Sequence, residues 1–102
     1  MNKNIFLNKV KKRVKDLDND ADIMLFGSRA RGDFKPTSDW DFLILLQKNA
    51  TEDFKDIIRN NLFELELETN EVVSSIIHNK ITWEELNITP LYKIIEKEGV
   101  KL

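Results

Sequence analysis

Residues 27–41 read GSRARGDFKPTSDWD, and this stretch is the most informative part of the sequence about fold and function. The glycine and serine follow the apolar run Ile23–Phe26, which predicts a short strand that ends in a turn and a helix start. At the other end, Asp39 to Leu46 is predicted to be a strand whose large apolar residues share one face. Asp39 and Asp41 therefore share the opposite face.

The sequence on either side predicts helices and one further strand. Apolar residues at helical spacing predict a first helix before Ile23, and Thr51 is placed to cap a second long helix. Val72 to Ile77 is predicted to be a third strand, and Thr89-Pro90 starts a last helix that Gly99 ends. The apolar side of the second long helix comprises Phe54, Ile57, Ile58, Leu62 and Leu65. The predicted order is αβ(α)βαβα, a single α+β domain over residues 1–102.

Composition excludes several classes of protein. The chain has 102 residues, 41% hydrophobic and 33% charged, which is typical of a soluble globular domain. There is no cysteine and one histidine, so disulfides and thiolate zinc sites are excluded and a metal would be bound by oxygen. The formal charge of −2 disfavours a general nucleic-acid binder. No apolar run is long enough to span a bilayer, and we expect a cytoplasmic location.

The glycine-serine turn is a candidate site for phosphate. Gly27 allows the backbone to approach an anion closely, and Ser28 offers a hydroxyl and a backbone N–H. Arg29 and Arg31 lie in the same turn and either add positive charge toward a phosphate chain or form ion pairs at the surface.

The paired aspartates are candidate ligands for a metal ion. Carboxylates at alternate positions of a strand project to the same side, where they can hold Mg²⁺ against a triphosphate. Asp39 and Asp41 alone are a weak signal, because such pairs are commonly solvated at a strand edge. The phosphate turn upstream of them makes the combination informative.

Taken together, the stretch resembles the nucleotidyltransferase superfamily of the DNA polymerase beta type, most closely its minimal single-domain members. The match is Gly27-Ser28, ten intervening residues and Asp39-Trp40-Asp41, with Ser38 just before the first aspartate. The resemblance implies a small mixed sheet flanked by helices, with Asp39 and Asp41 as catalytic Mg²⁺ ligands and ATP as the nucleotidyl donor. The residues that it implies for nucleotide binding are Gly27, Ser28, Arg29, Arg31 and Ser38.

A third carboxylate is the point at which the sequence departs from this family pattern. Active members place an acid on the following strand, where it completes the metal site and helps to deprotonate the acceptor. The third predicted strand carries serines at its centre, so Glu71 at its start is the first candidate, and Glu66 or Glu68 would fit another register. The alternative is that all three are solvated glutamates.

Two functions follow from the resemblance. The first is an enzyme that transfers AMP from ATP to a hydroxyl of a partner protein, as the antitoxin paired with a small helical HEPN-domain toxin. The second is a module of the same fold that binds nucleotide, or covers a partner, without transfer. Modification of nucleic-acid ends is less favoured, because the chain is net acidic and lacks an aromatic track for single strands.

Overall fold

The computed structural model describes residues 2–102 of the chain. Within that range the helices are α1 (Lys3–Leu17), α2 (Ser28–Arg31), α3 (Glu52–Thr69), α4 (Lys80–Glu85) and α5 (Pro90–Glu98). The strands are β1 (Asp22–Phe26), β2 (Trp40–Leu46), β3 (Val73–Asn79) and β4 (Val100–Lys101). They form one sheet in the order β3-β2-β1-β4, in which β2 is parallel to β3 and β1 is antiparallel to β2 and β4. The predicted α+β class with a small mixed sheet flanked by helices is confirmed.

Each face of the sheet packs against its own helices. On one face, Trp40 and Phe42 of β2 lie in a large apolar cluster that includes buried residues of α1 and α3. On the other face, Leu43 packs with Trp83 of α4 and Ile95 of α5 in a smaller cluster. Strand β2 is therefore central and buried on both sides, and its odd-numbered residues face α4 and α5.

Two sequence predictions differ from the structure, and one strand was not predicted. Strand β2 begins at Trp40, so Asp39 lies in the loop before it. Ile57 is 46% exposed, because the apolar side of α3 that meets the sheet is narrower than predicted. Its fully buried residues are Ile58, Leu62 and Leu65. Strand β4 was not predicted, since two residues carry no recognisable periodicity.

A buried carboxylate joins α1 to the far end of β2. Asp18 is only 2% exposed and follows the last residue of α1. Its Oδ2 accepts hydrogen bonds from the backbone N–H groups of Gln47 and Lys48, each at 2.9 Å. These bonds fix the first helix against the strand that carries Asp41 at its other end.

Candidate active site

The pairing of β1 with β2 brings the glycine-serine turn against the second aspartate. Phe26, the last residue of β1, pairs with Asp41, and Gly27 follows immediately. Gly27 has a φ of 74°, and a Cβ at this position would collide with Oδ2 of Asp41. Only glycine therefore permits this approach, and the backbone of the turn lies in contact with the carboxylate.

The turn itself has the predicted strand-turn-helix form. The carbonyl of Gly27 accepts the N–H groups of Ala30 and Arg31 at 3.0 Å, which closes the single turn of α2. Ser28 is half-buried at the first helical position, and its carbonyl accepts the N–H of Gly32 at 2.9 Å. The short helix thus holds the Ser28 backbone directly beside the Gly27–Asp41 contact.

Arg31 reaches the turn from the exposed side of α2. Its guanidinium, 47% exposed, donates to Asp33 at 3.2 Å and to both carboxylate oxygens of Glu98 at 3.2 and 3.3 Å. Hydrogen bonds donated to these two acids, Asp33 first and then Glu98, raise the pKa of Arg31. Arg31 is therefore a fixed positive charge at the mouth of the turn.

Glu98 was missed by the sequence reasoning. It is the last residue of α5, and its side chain is only 16% exposed. The backbone N–H of Gly27 donates to its Oε1 at 3.2 Å. No local motif signals this contact, because Glu98 is 71 residues from Gly27 along the chain.

Arg29 lies in the interior and not at the mouth of the turn. It is 7% exposed, and its guanidinium carbon is 4.4 Å from the ring centroids of both Phe34 and Trp40. The guanidinium donates to the carbonyls of Pro36 and Ser38. The sequence left open a role toward phosphate or an ion pair at the surface; in this structure the Arg29 guanidinium is buried and bound to these two carbonyls.

Glu71 accompanies Arg29 on the face opposite to Asp41. Its Oε2 accepts a hydrogen bond from the indole N–H of Trp40 at 2.8 Å and lies 3.9 Å from the Arg29 guanidinium. Trp40 faces α1, whereas Asp41 alternates to the other side. The structure therefore does not bring Glu71 to the two aspartates.

The neighbouring strand offers no replacement acid. Ser74 of β3 is the register partner of Asp41. Glu66 and Glu68 lie on α3, and Glu68 forms an ion pair with Arg13 of α1. Over residues 2–102, no group of three acidic or histidine side chains is arranged to hold a metal ion.

The aspartates differ in environment. Asp39 is exposed in the loop, whereas Asp41 is half-buried. Burial raises the pKa of Asp41, and the negative charges of Asp39 and Glu98 raise it further, while Arg31 lowers it. Ser38 stabilises the loop just before Asp39, since its Oγ accepts the N–H of Lys35 at 2.9 Å.

The fold is that of a small α+β domain, in which a mixed sheet holds Asp41 of β2 against a glycine-serine turn at the end of β1. The chain belongs to the nucleotidyltransferase domain family, whose model matches residues 7–102. A solved structure described as a toxin-antitoxin with AMP-PNP is similar in fold, with a TM-score of 0.66 and 20% identity. The similarity covers 92% of this chain and 69% of that one. No curated protein sequence matches the chain.

The length and hydropathy of the helices were compared with those of membrane-spanning segments. In the part of the chain from residue 2 to residue 102, none is both long enough and apolar enough to cross a membrane.

Proposed function

We propose that this domain transfers AMP from ATP to a hydroxyl of a partner protein in a Mg²⁺-dependent reaction. We further propose that the partner is a HEPN-domain toxin and that this chain is its antitoxin. The observation that carries the proposal is the contact between the Gly27 backbone and the Asp41 carboxylate, with Asp39 two residues away. Membership of the nucleotidyltransferase domain family supports the type of reaction.

The donor set suits Mg²⁺ that is shared with a substrate. Magnesium is commonly bound by one or two carboxylates together with phosphate oxygens and water, and not by a complete cage of protein ligands. Asp41 supplies one carboxylate beside the turn and Asp39 a second that is close enough to raise the pKa of Asp41, and an ion held between them needs no third acid in order to bind. When bound, Mg²⁺ supplies positive charge to the phosphate oxygens.

The residues of the chain would bind and orient the triphosphate. In this proposal the Gly27 N–H and the Ser28 hydroxyl donate to the terminal phosphates, and Arg31 offsets their charge. The partner's hydroxyl oxygen then forms a bond to the α-phosphorus while the bond to the bridging oxygen breaks. Pyrophosphate leaves, and the hydroxyl proton passes to water. Catalysis in this proposal depends on how the triphosphate and the acceptor are oriented and on the positive charge near the phosphates.

A second candidate is a module that binds nucleotide or covers a partner without transfer. Two observations favour it: Ser74 stands beside Asp41 on β3, and Glu71 is bound to Trp40. Without a third carboxylate, deprotonation of an acceptor hydroxyl has no base of the chain's own, which lowers the rate by on the order of a hundredfold or more.

Transfer of label to the partner separates these two functions. The chain and a co-expressed HEPN-domain partner are incubated with Mg²⁺ and ATP labelled at the α-phosphate, and in parallel with ATP labelled at the γ-phosphate. We expect only the α-label on the partner, and no label with the Asp39→Asn/Asp41→Asn variant. Nucleotide binding without any transfer supports the binding module, and transfer of the γ-label contradicts nucleotidyl transfer.

A further inference from the structure

Glu98, the last residue of α5, accepts hydrogen bonds from the same groups that the proposed function assigns to phosphate binding. One carboxylate, that of Glu98, accepts from the Gly27 N–H at 3.2 Å and from Arg31 at 3.2 and 3.3 Å. A carboxylate and a phosphate oxygen compete for the same kind of donor. A triphosphate that enters the turn must therefore displace Glu98 from Gly27 or share Arg31 with it.

The position of Glu98 relative to the strands distinguishes it from a third metal ligand on β3. Strand order β3-β2-β1-β4 puts β3 on one side of Asp41 and the β1 turn on the other. Glu98 lies on the β1 side, beside Gly27, while Ser74 occupies the β3 side. Its carboxylate thus lies at the phosphate end of the proposed site, on the side of Asp41 away from β3.

The charges around the turn determine which phosphate compounds can displace Glu98. Asp33, Asp39, Asp41 and Glu98 contribute four negative charges, and Arg31 contributes one positive charge. Arg29 does not change this balance at the turn, because its guanidinium is engaged with backbone carbonyls and Glu71 on the other face. A bare phosphate anion meets net repulsion here, whereas one that carries a divalent cation does not.

We infer that Glu98 is a specificity-determining residue that makes the phosphate turn reject polyphosphates lacking a bound cation. The inference rests on the proposed function, because it takes the turn to be the phosphate site. In the unliganded protein the Glu98 carboxylate accepts hydrogen bonds from the Gly27 N–H and from Arg31. A cation bound by Asp39 and Asp41 compensates the negative charge around the turn. The phosphate chain can then replace the Glu98 carboxylate at these two donors.

The test compares binding of inorganic tripolyphosphate with and without Mg²⁺ by calorimetry. Glu98→Gln keeps the shape of the side chain and removes its charge, and Glu98→Ala removes the acceptor altogether. Glu96→Gln is the matched control, since Glu96 is exposed on the same helix. Circular dichroism checks that each variant is folded.

We expect both Glu98 variants to bind metal-free tripolyphosphate at least about tenfold more tightly than the parent, while Glu96→Gln binds as the parent does. The gain should be smaller for the Mg²⁺ complex. Equal affinity of parent and Glu98→Gln for the metal-free probe overturns the inference. Loss of the Mg²⁺ complex in Glu98→Gln also overturns it, because Glu98 would then be a metal ligand. Binding of Mg-ATP by the parent reports separately on the proposed function.

Discussion

Among single residues, Asp41 has a proposed role in binding a metal ion and also lowers the stability of the unliganded fold. Its carboxylate is half-buried against Gly27 and is surrounded by more negative than positive charge, which raises its pKa above the usual 3.8. Ionised, it is suited to bind a cation, but in the unliganded fold the same charge is poorly solvated. Asp41 is therefore a position where the proposed activity opposes stability.

Replacement of Asp41 by asparagine should stabilise the unliganded domain at neutral pH. A carboxyl whose pKa is raised on folding contributes stability below its unfolded pKa of about 3.8, and that contribution is lost as the pH rises through the folded value. Thermal melts of Asp41→Asn and the parent should coincide near pH 3.5 and separate at pH 7, the variant melting at the higher temperature. Asp20→Asn, an exposed control, should show no such separation; a less stable Asp41→Asn at pH 7 contradicts the account.

At the scale of elements, one buried arginine ties α2 to the loop that carries Asp39. Arg29 donates from α2 to the carbonyls of Pro36 and Ser38, and it stacks between Phe34 of the loop and Trp40 of β2. Arginine suits this place because its planar guanidinium reaches two carbonyls while both of its faces remain available to aromatic rings.

Lysine in place of Arg29 should loosen this connection. It retains the charge opposite Glu71 but cannot form the forked hydrogen bonds, and the domain should lose about 2–4 kcal/mol of unfolding free energy. Urea denaturation measures the loss. The matched control is Arg59→Lys, an exposed arginine of α3, which should change the free energy by less than about 0.5 kcal/mol. A similar small change in Arg29→Lys would show that the arginine does not hold the loop.

The elements also show which features a sequence can reveal. The Gly27 turn and the alternation in β2 were predictable, because each depends on residues adjacent in the chain. The burial of Arg29 was not, since it depends on Phe34 and Trp40, which lie against the guanidinium, and on Glu71, which precedes β3 and lies beside Trp40. Strand β4 likewise exists only through its pairing with β1.

At the scale of the whole molecule, the candidate site is assembled from three distant parts of the chain. The β1 turn supplies Gly27, β2 supplies Asp41 and the end of α5 supplies Glu98. The motif predicted the first two because its spacing spans one antiparallel connection. Glu98 required the packing of α5 on the second face of the sheet, which no local pattern encodes.

We propose that Asp39 and Asp41, with the Gly27 turn, bind a metal-bound nucleoside triphosphate. Calorimetric titration with ATP, with and without Mg²⁺, compares the parent with Asp39→Asn/Asp41→Asn. We expect Mg²⁺-dependent binding by the parent, and at least about a hundredfold weaker binding by the double variant, because the ion is left with phosphate oxygens and water alone. If the double variant binds Mg-ATP with the affinity of the parent, these aspartates do not bind the metal ion.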